Sequence, residues 1–335
     1  MAELKECRWW EAGEGVALCH LCPWQCRVKE GEVGVCQVRR NDGGVLRSLN
    51  YGRITSLSLD PIEKKPLYHF HPGRLILSIG TFGCNLSCSF CQNWQISKGQ
   101  PPTRALSPTE AARAAGEQRE AEGNIGLAYT YNEPFIWYEY VQDTARLVRE
   151  AGMKNVLVTN GMVEEAPLRE LLPLVDAMNV DIKFWSNKHY QELCGGPGWR
   201  ARDTVEIAHG AGCHVEITVL IIPGYNDTDE ELTGIFDWAA GVDRALPVHL
   251  SRYHPAYQLQ APATPVATLQ RAYQLARERL KYVYVGNVNL PGTTDTECAD
   301  CGAVLVERSG FMADPQGLDP EGRCRACGVQ TDLRT

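Results

Sequence analysis

From Leu75 to about Val288 the chain alternates short apolar runs with amphipathic stretches. LILSIG, IGLAYTY, NVLVTNG, DAMNVDIK, HVEITVLII, PVHLSRY and YVYVG have the length and β-branched content of buried strands, and the segments between them carry apolar residues at helical spacing. Strands recurring at roughly thirty-residue intervals are the rhythm of βα units. Helix boundaries are marked as well. Ser107-Pro108-Thr109-Glu110 combines an N-cap, a first-turn proline and a capping-box glutamate, and Asp227-Thr228-Asp229-Glu230 offers a similar start. Gly152, after EYVQDTARLVREA, supplies a stop. Parallel strands with right-handed crossovers either open into a doubly wound sheet or curl into a complete or partial barrel. In both arrangements chemistry collects at the C-terminal strand ends.

Polar residues recur where these strands run out. Cys84, Cys88 and Cys91 follow the first, Asn132 and Glu133 the second, and Asn160 the third; Asp181 and Lys183 end the fourth, and His254 follows the sixth. Singly, each has an ordinary explanation: a surface ion pair, an Asn-Gly turn, a structural histidine. Their repetition at equivalent positions predicts one shared mouth.

At 335 residues the chain accommodates one large α/β domain with small attachments, and 44% hydrophobic with 22% charged residues is the composition of a globular protein. A formal charge of -8 argues against nucleic acid as the main partner. The N-terminal segment carries charges throughout, and no run of eighteen apolar residues occurs, so the expectation is a cytoplasmic protein without a membrane span. In a reducing compartment fourteen cysteines are ligands rather than disulfides. Cys194 and Cys213 stand alone and read as small buried hydrophobes.

The central trio, C-x3-C-x2-C, places three thiols on a tight loop without a fourth local ligand. Structural zinc requires four protein ligands and redox C-x-x-C motifs use two; a [4Fe-4S] cluster on three cysteines leaves one iron open. With Phe90 before its third cysteine, the trio resembles the signature of the radical S-adenosylmethionine (SAM) superfamily. That resemblance implies an α/β fold, a partial (β/α)6-type TIM-like barrel. It also implies a [4Fe-4S] cluster, SAM chelated at the open iron, and reductive cleavage to a 5'-deoxyadenosyl radical. Asp181-Ile182-Lys183 is similar to the DLK segment of the pyruvate formate-lyase activating type, where acid and lysine contact SAM. His254 falls where that type carries a histidine near the adenosine, and Ile222-Pro223-Gly224 resembles its PG loop. One departure stands out: the activating enzymes have Gly-Gly-Glu where this chain has Tyr131-Asn132-Glu133, so the acid is kept and both glycines are replaced.

A wider resemblance rests on LCHLCPWQCRVKEGEVGVCQVRRN, DPIEKKPLYHFHPG, SIGTFGCNLSCSFCQNWQIS, TYNEPFIWYEY and the terminal C-x2-C pair. These segments resemble the AmmeMemoRadiSam radical SAM enzymes, which implies AMMECR-domain and Memo-like protein partners and an electron donor such as flavodoxin or ferredoxin. No substrate is implied.

The outer cysteines divide the chain further, into a cysteine-rich metal-binding region at 1–70, a βα barrel at 71–290 and a zinc-ribbon-like region at 291–335. Cys298, Cys301, Cys324 and Cys327 form two C-x2-C pairs, each followed by glycine, the pattern of structural zinc. Cys19, Cys22, Cys26 and Cys36 also make four ligands, for zinc as the simplest metal or for a second iron-sulfur cluster. Two functions follow: an enzyme that makes a carbon-centred radical on a partner protein or small molecule, or a non-catalytic zinc-rich scaffold.

Overall fold

A computed structural model describes residues 4–335. All seven expected strands form. With one further strand they build a single sheet: β1 (Ser56–Pro61), β2 (Leu75–Gly80), β3 (Gly126–Tyr129), β4 (Lys154–Thr159), β5 (Ala177–Asp181), β6 (His214–Ile221), β7 (Val248–Arg252) and β8 (Val283–Gly286). Spatial order follows sequence order, β2 to β8 are parallel, and β1 is antiparallel to β2. Six helices connect the parallel strands: α1 (Pro108–Glu122), α2 (Tyr138–Glu150), α3 (Glu165–Leu171), α4 (Trp199–Gly210), α5 (Asp229–Val242) and α6 (Val266–Arg277). Consecutive strands joined by crossovers on one face make a partial (β/α)6 barrel and rule out the doubly wound alternative, whose strand order reverses.

The period-two alternation of the strands separates two cores. Leu77, Ile79, Leu127, Tyr129, Leu157, Met178, Val180 and Ile217 pack in one cluster with the helices. On the opposite face Ile76, Ala128, Val156 and Ala177 pack with Ile62, Leu67 and Phe70, so the segment between β1 and β2 plugs the N-terminal end of the barrel. Glu216 lies on that inner face, wholly buried. It accepts hydrogen bonds from the backbone N–H groups of Tyr68 (2.9 Å) and His69 (2.7 Å) and pairs with Nε2 of His214 (2.9 Å) and of His249 (2.6 Å).

Local signals behaved as their chemistry requires, with two corrections. Ser107 caps α1 through a capping box with Glu110, and Gly152 follows α2 with φ +68°. The cap of α5, however, is Thr228, whose side chain accepts from Glu231 N–H; Asp227 instead accepts from Gly224 N–H (2.8 Å). The second correction concerns the region 1–70. Its β1 belongs to the barrel sheet, and its polar SLSLDP sequence disguises an edge strand whose inward Asp60 is paired with buried Lys65 (2.7 Å).

The two attachments occupy opposite ends. At the plugged end, the strands Thr296–Glu297, Val304–Ser309 and Met312–Asp314 form an antiparallel ribbon around Leu305, Val306 and Leu318. The ribbon's buried Arg308 donates to the Tyr68 carbonyl (2.7 Å) and lies over the Tyr68 ring, 4.1 Å from its centroid. The N-terminal strands Trp10–Gly13, Val16–Cys19 and Arg27–Lys29 make a small antiparallel sheet whose Ala17 and Val28, with Leu21 from the connecting loop, join the helix-side core. No helix among the described residues is long and apolar enough to cross a membrane.

Candidate functional site

The loop after β2 is fixed on every side before its thiols are considered. Gly83 N–H donates to Ile96 O (3.0 Å) and Gly83 O accepts from Asn132 Nδ2 (2.8 Å). Asn85 donates through Nδ2 to Met162 O (2.7 Å), and its carbonyl accepts from Trp24 Nε1 (2.7 Å). Ser87 N–H donates to Cys194 O, Ser89 N–H to Leu193 O, and Ser89 O accepts from the N–H groups of Gln258 and Leu259. The last two belong to the loop after β7, so two strand ends are tied together across the mouth. Such a loop holds Cys84, Cys88 and Cys91 half-buried in a preset arrangement, which is what binding a rigid inorganic group needs.

The thiols have distinct surroundings. Cys84 Sγ receives Leu86 N–H (3.4 Å) and Asn160 Nδ2 (3.7 Å), while burial, then Glu133 and Cys88, push its thiol well up. The Cys88 thiol is lowered, first by a hydrogen bond from Cys194 and then, against burial, by Lys183. Lys183 Nζ is 3.0 Å from Asp181 Oδ2 and 5.8 Å from the Phe90 ring centroid. Burial disfavours its charge, but Asp181 and then Cys88 hold the ammonium well above the ordinary lysine value. An anion among the three sulfurs would therefore meet a half-buried cation.

Several expected residues brace the loop rather than face the opening. Glu133 is buried and accepts from Thr159 Oγ1 (2.8 Å), Asn160 N–H (2.8 Å) and Phe135 N–H (2.9 Å); burial raises its carboxyl to about 7 against these donors. Asn160 is thereby aimed at Cys84 and at Asn85 Oδ1 (3.0 Å). Asn132 accepts from Thr81 N–H (3.2 Å) as well as donating to Gly83 O, so its amide is taken up by the loop. Tyr131 adopts φ +71°, the left-handed conformation glycine takes most easily, at the position where the activating type carries glycine. Its hydroxyl donates to Asp60 (2.7 Å) and its carbonyl accepts from Asn93 Nδ2 (2.6 Å), which secure that conformation. Phe90 is buried edge-on against Phe184. His254 is exposed on the loop beyond β7.

Two features escaped sequence reasoning. Cys194, read as an isolated hydrophobe, ends a π-helical turn that seats the cysteine loop, but it lies far from that loop in sequence. Trp94 stacks on Tyr257 with ring centroids 5.2 Å apart, joining the segment after Cys91 to the loop after β7. An exposed aromatic just past the third cysteine was the available signal.

The donor set fits a [4Fe-4S] group: three sulfurs on one preset loop and the half-buried Lys183 ammonium nearby. Comparisons with known proteins bear on the same segment. A sequence profile of the radical SAM superfamily matches residues 78–239. This range holds the cysteine loop, Asn160, Asp181 and Lys183. The chain carries a radical SAM domain. Over 322 residues it is 43% identical to an uncharacterized protein of Methanocaldococcus jannaschii, covering 94% of this chain and 95% of that one, and the two belong to one family. The radical SAM domain is also homologous to the pyruvate formate-lyase 1-activating enzyme of Escherichia coli, 23% identical over 177 residues, 51% of this chain and 71% of that enzyme. Among solved structures, SuiB of Streptococcus suis bound to S-adenosylmethionine shares the fold, with a TM-score of 0.52 and 15% identity over 68% of this chain and 53% of that one.

At the far end of the barrel the C-terminal quartet is closed. Cys298 and Cys327 sulfurs are 3.8 Å apart, Cys301 and Cys324 sulfurs 3.7 Å, and all four lie within 4.8 Å of one another. A tetrahedral thiolate shell with metal–sulfur bonds of about 2.3 Å has edges of about 3.8 Å. The two knuckles repeat one geometry. Gly302 N–H donates to Cys298 O and Gly328 N–H to Cys324 O, with φ of +73° and +78°.

Proposed function

We propose that the chain is a radical SAM enzyme acting on a partner protein or a small molecule. The observation that carries this reading is a preset loop offering three thiols and no fourth local ligand, at the C-terminal strand ends and beside the Asp181–Lys183 pair. A [4Fe-4S] cluster on Cys84, Cys88 and Cys91, when bound, supplies the electron that cleaves SAM to methionine and a 5'-deoxyadenosyl radical, which takes hydrogen from the substrate. Lys183 and Asp181 present opposite charges suited to the zwitterionic end of SAM. His254 stands at the rim for the adenosine, and Asn132, Glu133 and Asn160 hold the loop in register. The homology to activating enzymes supports a protein substrate; tracing deuterium from labelled candidates into 5'-deoxyadenosine identifies the donor. The reading loses its support if reduced, cluster-loaded protein yields no labelled product with any candidate while unlabelled cleavage is also absent.

Lys183→Ala is expected to weaken SAM binding by about 1.5–3 kcal/mol through loss of a charge-assisted hydrogen bond, with the iron content unchanged. Calorimetric titration of the loaded protein checks this, and an unchanged affinity would make the pair structural. His254→Ala should act in the same direction but more weakly, its side chain being exposed.

Zinc is our assignment for Cys298, Cys301, Cys324 and Cys327. Cys298→Ser or Cys324→Ser should remove one zinc and lower the melting temperature, because the ribbon core consists of little beyond Leu305, Val306, Leu318, Leu333 and these cysteines. The AmmeMemoRadiSam resemblance further proposes AMMECR-domain and Memo-like proteins as partners, flavodoxin or ferredoxin as reductant, and the cytoplasm as the site of action.

A further inference from the structure

We infer that the plugged end of the barrel carries a separate binding site, a basic cavity for a phosphate ester with at least two negative charges. The site lies at the strand ends opposite the cysteine loop and shares no residue with it. A cavity of about 550 Å³ opens where the turn before β2, the end of α1 and the start of β4 meet the C-terminal region, with Arg74, Arg119, Lys154 and Pro315 in its walls. A second cavity of about 390 Å³ adjoins it, sharing His71, Lys154 and Thr335 and adding Arg149 and Arg334. Concave spaces of this size at a seam between two parts of a fold suit small molecules.

The cations gather here although the chain as a whole carries a formal charge of -8. Asp176 is the acidic side chain on these walls, and it is already engaged by Asn155 N–H (2.9 Å) and by Lys154 (3.4 Å). Counting also the carboxylate that Thr335 carries as the last residue, cations still outnumber anions. A cation in the last turn of a helix has an ordinary use in offsetting the helix dipole, which accounts for Arg119 on α1 and Arg149 on α2. It does not account for Arg74, which precedes β2, or for Lys154, the first residue of β4.

Two of the guanidinium groups are open to a ligand. Arg74 has no side-chain partner among the described residues, and Arg119 directs one N–H to Ala151 O (3.1 Å), which leaves its other donors free. A guanidinium fork matches the oxygens of a phosphate, and two such forks without a carboxylate set the minimum charge of the ligand. His71 registers the same field: burial first, then Lys154 and Arg74, lower its imidazole to about 4.

The walls are fixed in advance. His71 N–H donates to Arg334 O (2.7 Å), and Arg334 N–H donates to His69 O (2.8 Å). A Cβ at Gly73, where φ is +77°, would stand 2.7 Å from Ala313 O, so the ribbon packs directly against the turn that carries Arg74. A ligand seated there meets cations already in place, which lowers the ordering cost of binding.

Calorimetric titration of the full-length protein with inorganic pyrophosphate tests the site without iron or SAM. Wild type should bind a single pyrophosphate saturably, and its melting temperature should rise with the concentration of the anion. Arg74→Ala, at a side chain with no partner to lose, should weaken binding about tenfold, and adding Arg119→Ala should bring the loss to about a hundredfold. Arg113→Ala, elsewhere on α1 and paired with Glu117, should bind as wild type does. Absence of saturable binding to wild type, or an affinity unchanged by Arg74→Ala, would overturn the assignment. Tighter binding of an acidic peptide such as oligoglutamate than of pyrophosphate would overturn it in favour of a protein-docking surface.

Discussion

Replacing Cys84, Cys88 and Cys91 together by alanine is expected to reduce SAM cleavage to the uncatalysed background while the barrel remains folded. The loop does not depend on its sulfurs for shape. Its backbone is held by Asn132, Ile96, Trp24, Cys194 O, Leu193 O and the Gln258–Leu259 segment, and Asn85 fixes it to Met162. The contacts that would be lost are those from Leu86 N–H and Asn160 Nδ2 to Cys84, from the Cys194 thiol to Cys88, and from Cys91 to Ser97. Weak sulfur hydrogen bonds of this kind put the expected cost at about 1–2 kcal/mol. Circular dichroism should retain its far-ultraviolet signal, and a thermal melt should remain cooperative. Substantial cleavage in a folded triple variant would remove the catalytic assignment of the loop.

Glu216→Ala should be the most damaging single substitution at the opposite end. The carboxylate is fully buried and gathers His214, His249 and the N–H groups of Tyr68 and His69, so it ties β6 and β7 to the plug. Removing it leaves those donors without an acceptor, a change expected to cost about 3–5 kcal/mol. Burial alone would raise the Glu216 carboxyl, but the hydrogen bonds from His214 and His249 hold it well below the ordinary glutamate value of 4.5. The folded state thus binds the proton less readily than the unfolded chain. The stabilisation is complete above about pH 4.5 and is lost as pH falls through the lower folded value. Urea melts of wild type and Glu216→Ala should differ fully at pH 7 and converge in acid. A constant difference across that range would reject the linkage.

Much of the barrel was legible because its signals are local. Apolar runs of strand length and the Ser107–Glu110 capping box each act within a few residues, and every such strand formed. β1 was not legible, because SLSLDP carries only two apolar residues and turns a charged Asp60 inward, where Lys65 from the plug neutralises it. The ionisable plug was equally hidden. Glu216, His214 and His249 sit inside apolar runs, and only the register β6–β7 with the returning 62–71 segment brings them together.

The site divides in the same way. Strand-end recurrence correctly placed Asp181 and Lys183 beside the cysteine loop, since position along a parallel strand determines which mouth a residue reaches. It could not distinguish facing the opening from bracing it. Glu133 and Asn132 reach the mouth but are turned into the loop by backbone donors that no spacing rule anticipates. Cys194 meets Cys88 through a π-helical turn, a contact without a sequence period.

The central claim is that this chain cleaves SAM reductively at the cysteine loop. The direct measurement is product formation by anaerobically reconstituted wild-type protein, reduced with dithionite and incubated with SAM, read by chromatography and mass spectrometry. Methionine and 5'-deoxyadenosine should appear in equal amounts and disappear when Cys88 alone is replaced by alanine. A brown, reduced protein that releases neither product would contradict the account, and a protein that stays colourless after reconstitution would do the same and leave the zinc-rich scaffold in its place.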